Sequence, residues 1–296
     1  MTIKELLRGK LTESEMKMAP SSFEIIGNKE KAVAIIELEH VLKPKAKIIA
    51  EAIMVKHRNV KTVLLKDSPR QGEYRTRKYR RIKGAKSTEV MHVENGCRLL
   101  VDPVSSYFSS REGTERERMI EKVKPGETVM VFFAGAGPFA IEMAKKAKPA
   151  KVIGIEINPA AVDYFVKNIK LNKLQNVEAV LGDVVERAKE FYGICDRVLM
   201  PLPEKAIDYL TDALKCLKHG GVCHLYFFSD ESKLNEVKKK VKQMVKEQGR
   251  KATIIQEQRV LPYGPKIWKY RMDFIVDMPS PFRHTDTNYH RPVHQG

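Results

Sequence analysis

Hydrophobic positions fall into two successive rhythms along the chain. After a mixed charged lead-in over residues 1–20, residues 23–28 and 31–39 read as two strands around a turn. Residues 44–56 carry helical spacing through Ile48, Ile49, Ala52 and Ile53, and residues 59–66 return to β-branched strand composition. Strands at 89–94 and 97–101 flank Asn95-Gly96, a dipeptide suited to the left-handed positions of a tight hairpin turn. These elements predict a small α+β domain over residues 1–105.

From residue 106 to 279 strand alternates with helix. Strands are predicted at 128–133, 151–155, 177–181, 197–201 and 221–228, and helices at 138–148, 159–172, 204–217 and 232–248. This order predicts an α/β domain, a parallel sheet wrapped by helices. Two closely spaced strands, 253–260 and 269–276, predict an antiparallel pair at its edge. Residues 280–296, with His284, His290 and His294, read as a flexible tail.

Composition supports a folded chain and adds a partner. Of 296 residues 43% are hydrophobic, enough for a core, while the net charge of +17 points to a polyanion, nucleic acid before membrane. No stretch has the length of apolar residues a membrane span needs, and the start lacks a signal-peptide core, so a soluble, cytoplasmic protein is expected. Cys97, Cys195, Cys216 and Cys223 never approach a Cys-x-x-Cys spacing, and buried reduced thiols are expected in place of a metal site or disulfide framework. No metal is called for.

Chemistry concentrates at the strand ends of the second domain. The run from Val129 to Ala140 is an apolar strand, a turn with Gly135 and Gly137, and a helix opened by Pro138. Glycines there allow a tight turn and let a ligand lie against the backbone. Glu156 follows the next strand, 19 residues after Gly137, where a carboxylate can accept both hydrogen bonds of a ribose diol. Asp183 ends a third strand, placed to read an adenine amino group, and Pro201-Leu202-Pro203 ends a fourth. Gly135-x-Gly137-x-x-Ala140 also fits a dinucleotide fingerprint, but four such strand ends favour S-adenosylmethionine over NAD.

The runs Phe133 to Phe139, Ile155-Glu156-Ile157-Asn158-Pro159 and Met200-Pro201-Leu202-Pro203 resemble the archaeal and eukaryotic tRNA (guanine-N1) methyltransferases that modify position 37 beside the anticodon. The resemblance extends to residues 72–77, 109–116 and 261–265, and spans residues 20–277 in all. It implies a Rossmann-like class I methyltransferase domain preceded by a small RNA-binding domain, with S-adenosylmethionine as methyl donor and tRNA, mainly its anticodon stem-loop, as partner; no obligate protein partner follows from it. Phe133, Gly135, Gly137, Glu156, Ile157, Asn158, Asp183, Pro201 and Pro203 are the implied cofactor residues. Family members usually carry a further N-terminal domain that touches the tRNA elbow, and this chain is expected to begin at the second domain. Val131 stands where an acid is common, and Pro201 where Asn is common, as in the branch that also acts on tricyclic wyosine intermediates.

Methylating N1 of guanine requires removal of its proton, and the resemblance places the general base on Glu115, in the first turn of a charged helix. A first-turn carboxylate is stabilised in its charged form by the helix dipole, so partial burial on substrate closure is expected to oppose that effect. Arg75 matches the arginine that stabilises charge developing on O6. Arg75 to Lys83 hold six cations in nine residues, and Arg77, Tyr79, Arg80 and Arg81 are expected to grip phosphates and stack on bases, while Arg111 is expected to orient the extruded base or the cofactor. Two alternatives remain open: a 3-amino-3-carboxypropyl transferase of wyosine biosynthesis using the same cofactor, and a basic RNA-binding protein without catalysis.

Overall fold

A computed structural model describes residues 2–72, 74 and 76–277. Two short helices open the chain, α1 (Ile3–Leu7) and α2 (Glu13–Met18). Each is started by a capping box, Thr2 with Glu5 and Thr12 with Glu15, in which hydroxyl and carboxylate each accept a backbone N–H. The lead-in is therefore structured, with Leu7 fully buried against the first domain.

That domain is a four-stranded sheet in order β1 (Glu24–Gly27), β2 (Ala32–Ile36), β3 (Val60–Gln71), β4 (Thr76–Gly84). Helix α3 (Ala46–Lys56) crosses over between the parallel strands β2 and β3. The apolar run of β2 is buried on both faces, since Ala32, Ala34 and Ile36 meet α3 while Val33 and Ile35 face the second domain. The basic run forms β4, the edge strand, a placement charge patterning alone did not predict. The β5 (Val90–Glu94) and β6 (Cys97–Val101) hairpin turns at Asn95 and Gly96, both at positive φ as expected.

After α4 (Gly113–Lys122), strands β7 (Thr128–Phe132), β8 (Lys151–Glu156), β9 (Val177–Leu181), β10 (Cys195–Met200) and β11 (Leu217–Asp230) are joined by α5 (Pro138–Ala147), α6 (Pro159–Leu171), α7 (Val184–Arg187) and α8 (Leu210–Cys216). Helix α9 (Leu234–Glu247) leads to β12 (Lys251–Gly264) and β13 (Ile267–Asp277). The sheet order is β12-β13-β11-β10-β7-β8-β9, with β7 to β11 parallel and the last two strands antiparallel at one edge, as the alternation predicted. Side chains alternate across it. Met130, Phe132, Ile153 and Ile155 pack under α7, α8 and α9, while Val129, Val131 and Val152 pack under α4, α5 and α6.

Asn168 of α6 and Asn172, which caps its C-terminus, fasten the hairpin to this second layer. Asn168 Oδ1 accepts from the Leu100 N–H at 2.7 Å and Asn172 Oδ1 from the Arg98 N–H at 3.0 Å, and both amides donate back to carbonyls of the same residues. Arg116 completes the attachment, with two bonds to Glu94 on β5 and an ion pair to Glu142 on α5 at 3.2 Å. All four cysteines are buried and free, as expected. Among the described residues no helix is long and apolar enough to cross a membrane, and no group of metal-binding side chains is found. The tail and its three histidines lie outside the described residues.

Candidate active site

The strand order reverses between β7 and β10, so a crevice opens at the carboxyl ends of these strands. The β7–α5 turn builds its floor. Phe133 sits at φ 55°, a left-handed conformation costly for a bulky residue, and its ring packs against Tyr209 at 5.0 Å. Gly135 at φ 58° is open above: an added Cβ meets only the Tyr107 carbonyl at 3.4 Å, ordinary contact. Gly137 has another duty. A Cβ there stands 2.0 Å from the Phe165 ring, so the residue is glycine for close packing of α6 and for its φ of 81°, rather than to admit a ligand.

Glu156 closes the turn. Its Oε2 accepts from the Gly135 N–H and its Oε1 from the Asn158 N–H, both at 2.8 Å. Burial raises its pKa above the usual carboxylate value, and the backbone N–H bonds offset this only in part. Asn158 was expected to line the pocket, yet it is buried and both ends of its amide are engaged. Oδ1 caps α6 at Ala160, and Nδ2 donates to the Ser105 carbonyl at 2.9 Å. Ile157 links these two residues. Asp183 caps α7 through Val185 at 2.7 Å, and Pro201 and Pro203 stand half-buried after β10.

The Asn158 bond ties the crevice to residues 103–108, which also meet the basic hairpin. There Arg70, Thr76, Arg77 and Tyr79 line a small polar pocket with Pro103, Ser106, Tyr107 and Phe108. Arg70 lies over the Tyr107 ring at 3.9 Å, and Arg77 Nε is shielded from solvent without a hydrogen-bond partner among the described residues. Burial raises the Tyr79 pKa. Thus Arg77 and Tyr79 come together here, joined by Arg70 and Tyr107, which sequence reasoning missed. Arg80 and Arg81 are exposed farther along β4, Arg111 is exposed in a single turn over Ser110–Glu112, and Arg75 lies outside the described residues.

Glu115 corrects an expectation. It is 1% exposed already, with no closure of the site needed to bury it. Tyr226 Oη donates to its Oε1 at 2.8 Å, Arg271 donates to the same oxygen, and Arg118 reaches Oε2 at 3.3 Å. Behind it a buried polar chain crosses the sheet. Arg271 Nε donates to Asp273 Oδ1 at 2.7 Å, and His224 Nδ1 lies 2.6 Å from that oxygen. Arg197 Nη1 approaches His224 Nε2 at 2.6 Å and pairs through its other nitrogens with Glu127. A guanidinium can only donate, so Nε2 is the acceptor and the Nδ1 proton points at Asp273. Burial holds the His224 pKa down at about 4, which keeps the ring neutral.

A parallel chain reaches the small pocket. Lys269 Nζ donates to Glu112 Oε1 at 2.8 Å, and Tyr107 Oη donates to the same oxygen at 3.0 Å. Burial pushes the Glu112 pKa up, but the charge and hydrogen bond of Lys269, the Arg116 charge and the Tyr107 hydrogen bond together outweigh it, so its pKa is held below the usual value. Glu24 of β1 accepts from the Ser110 N–H at 2.7 Å, so the small sheet fixes the turn that precedes Glu115.

Residues 90–254 match the TRM5/TYW2 methyltransferase domain and residues 3–88 the TYW2 N-terminal domain. The tRNA (guanine(37)-N(1))-methyltransferase Trm5b of Pyrococcus abyssi is 40% identical over 88% of this chain and 76% of its own length, and its crystal structure superposes with a TM-score of 0.81 over 90% of this chain and 78% of its own. A tRNA(Phe) (4-demethylwyosine(37)-C(7)) aminocarboxypropyltransferase of Pyrococcus horikoshii is 32% identical over 93% of this chain and 96% of its own. The crystal structure of P. horikoshii TYW2 in complex with MeSAdo gives a TM-score of 0.77 at 30% identity, covering 94% and 98% of the two chains. This chain belongs to the TRM5/TYW2 methyltransferase family.

Proposed function

We propose that this chain transfers a methyl group from S-adenosylmethionine to N1 of guanosine at position 37 of tRNA. The observation that carries the reading is the joining of a nucleoside crevice to a basic pocket through one hydrogen bond, Asn158 Nδ2 to the Ser105 carbonyl. In the crevice, Gly135 leaves room above the turn and each Glu156 oxygen keeps acceptor capacity beyond its backbone N–H, so the residues fit an adenosyl ribose. Phe133, Ile157, Asp183, Pro201 and Pro203 frame the remainder. When bound, the cofactor supplies a methyl group on a sulfonium that leaves readily, so no metal is needed for the transfer.

The chain's own residues orient the base and take its proton. Arg77 and Tyr79 hold the phosphate and ring of an unpaired nucleotide, with Arg70 and Tyr107 beneath, and Arg80, Arg81 and Arg111 extend the cationic surface along the anticodon stem-loop. N1 lies on the Watson–Crick edge, so the target leaves its stack to reach the site. Glu115 acts as general base. Its Oε1 is committed to Tyr226 and Arg271, which makes Oε2 the atom that takes the proton once Arg118, 37% exposed, turns outward to a phosphate. Arg75 stabilises the charge that moves onto O6 as the proton leaves.

One observation favours a second reading. The aminocarboxypropyltransferase of P. horikoshii aligns almost end to end with this chain, and the same crevice serves transfer of the larger group. Incubating one tRNA with protein and S-adenosylmethionine, followed by mass analysis of its nucleosides, decides between them. A methyl added to guanosine supports the first reading, an aminocarboxypropyl group the second, and an unmodified tRNA contradicts both.

A further inference from the structure

Beyond the crevice, the edge of the large sheet carries a projecting wing that the mechanism does not use. β11 pairs with β10 as far as Leu225 opposite Met200, then runs on to Asp230 in partnership with β13. Those five residues reach about 16 Å past the end of β10, on the side where the crevice opens. The β12–β13 turn crowns the wing. Phe228 and Tyr263 stack there at 3.9 Å and 28°, and Tyr263 remains 64% exposed, so one ring face is backed and the other is open to solvent.

The wing also carries cations. Lys266 follows in the turn, and Lys266 and Lys233 both lie near enough to Asp230 to act on its charge. Arg259 lies over the Trp268 ring at 4.6 Å. The two carboxylates present are occupied, Asp230 by the Ser232 N–H at 2.9 Å and Glu231 by Arg259 at 2.5 Å. An open aromatic face beside lysines, on a chain of net charge +17, suits an unpaired base and its phosphate better than an apolar protein partner. Only β11 and β13 separate β12 from β10, so the platform stands roughly 10 to 15 Å to the side of the crevice, in reach of nucleotides next to the target.

We propose that Tyr263, backed by Phe228, is a stacking platform for an unpaired base flanking the target nucleotide, with Lys266 contacting its phosphate. The inference rests on the reading of tRNA as substrate. Equilibrium binding of a tRNA transcript to the full chain tests it. Tyr263→Ala is expected to weaken binding by about 5- to 150-fold, the range for loss of one base–aromatic stack, while Tyr263→Trp restores it. Because the side chain is exposed, S-adenosylmethionine affinity stays at the wild-type value and reports an intact fold. Wild-type tRNA affinity in Tyr263→Ala overturns the platform alone, including the case in which the substitution changes only the oligomeric state. If the wild-type chain binds no tRNA, the substrate reading fails and the platform with it.

Discussion

Replacing Glu156 by alanine removes the carboxylate proposed to hold the ribose of the cofactor. An ionised acceptor contributes about 1.5 to 3 kcal/mol per hydrogen bond, so a diol held by both oxygens is worth roughly 3 to 6 kcal/mol. The structure favours the low end, since each oxygen already accepts a backbone N–H, from Gly135 or Asn158. The expected loss in S-adenosylmethionine affinity is about 10²-fold, read by titration calorimetry. Binding should also depend on pH. Burial raises the Glu156 pKa above the unfolded value of 4.5, so the free protein takes up a proton there on folding and loses stability as pH rises through that window. The ribose needs the ionised form, so cofactor affinity should be full at neutral pH and fall as pH drops through the raised pKa. Unchanged affinity in Glu156→Ala, or a flat profile down to pH 4.5 in the wild type, would refute the assignment.

Arg271→Met should lower stability by about 3 to 5 kcal/mol, because Glu115 and Asp273 are left as buried charges without their shared partner. Burial pushes the Asp273 pKa up, but His224 and Arg271 hold it well below the usual value, so the wild type keeps this contribution down to strongly acid pH. The variant lacks the guanidinium, and its deficit in melting temperature should be largest at neutral pH and shrink as pH falls; a pH-independent deficit contradicts the network. Arg75→Ala and Glu115→Gln should each slow single-turnover methyl transfer by roughly 10² to 10⁴ with cofactor affinity retained, and a wild-type rate in either removes its role. Replacing Arg77, Arg80 and Arg81 together should weaken tRNA binding and flatten its salt dependence, whereas an unchanged slope makes the strand a solvated face. Pro201→Asn adds a polar side chain where the wild type has none, and should shift the ratio of guanosine to tricyclic wyosine base methylated toward guanosine; an unmoved ratio denies Pro201 that part.

Elements with strong periodicity were legible in the sequence. The alternation after residue 106 yielded the parallel strands, and Asn95-Gly96 yielded its hairpin, because local chemistry and tertiary packing agree there. Three features escaped. The capping boxes at Thr2 and Thr12 were readable as Thr-x-x-Glu, yet their helices are too short to show periodicity. β4 was hidden because its two apolar residues, Tyr79 and Ile82, stand three apart and pack against different cores, with cations between them, so no alternation shows. The polar chain through Arg197, His224, Asp273 and Arg271 to Glu115 was unreadable for another reason, since its first and last links lie on different strands and a helix, with Glu115 and Arg271 separated by 156 residues.

The candidate site divides along the same line. Strand-end motifs such as Phe133 to Gly137 and Glu156 signal themselves because a turn and its ligand are built from one short segment. Arg70 and Tyr107 give no such signal. They become neighbours only when the β3–β4 hairpin is laid against residues 103–108, and their contact depends on packing between the two sheets. Gly137 and Asn158 show the reverse case. Both sit inside recognisable motifs, yet Phe165 and Ser105 show that their immediate work is to hold the crevice in shape.

The central claim is a methyl transfer to guanosine 37, and nucleoside mass spectrometry of a single unmodified tRNA transcript tests it most directly. With this protein and S-adenosylmethionine the account predicts 1-methylguanosine at position 37 and one S-adenosylhomocysteine per methyl added. A guanosine left unchanged by protein that demonstrably binds both cofactor and tRNA would contradict it.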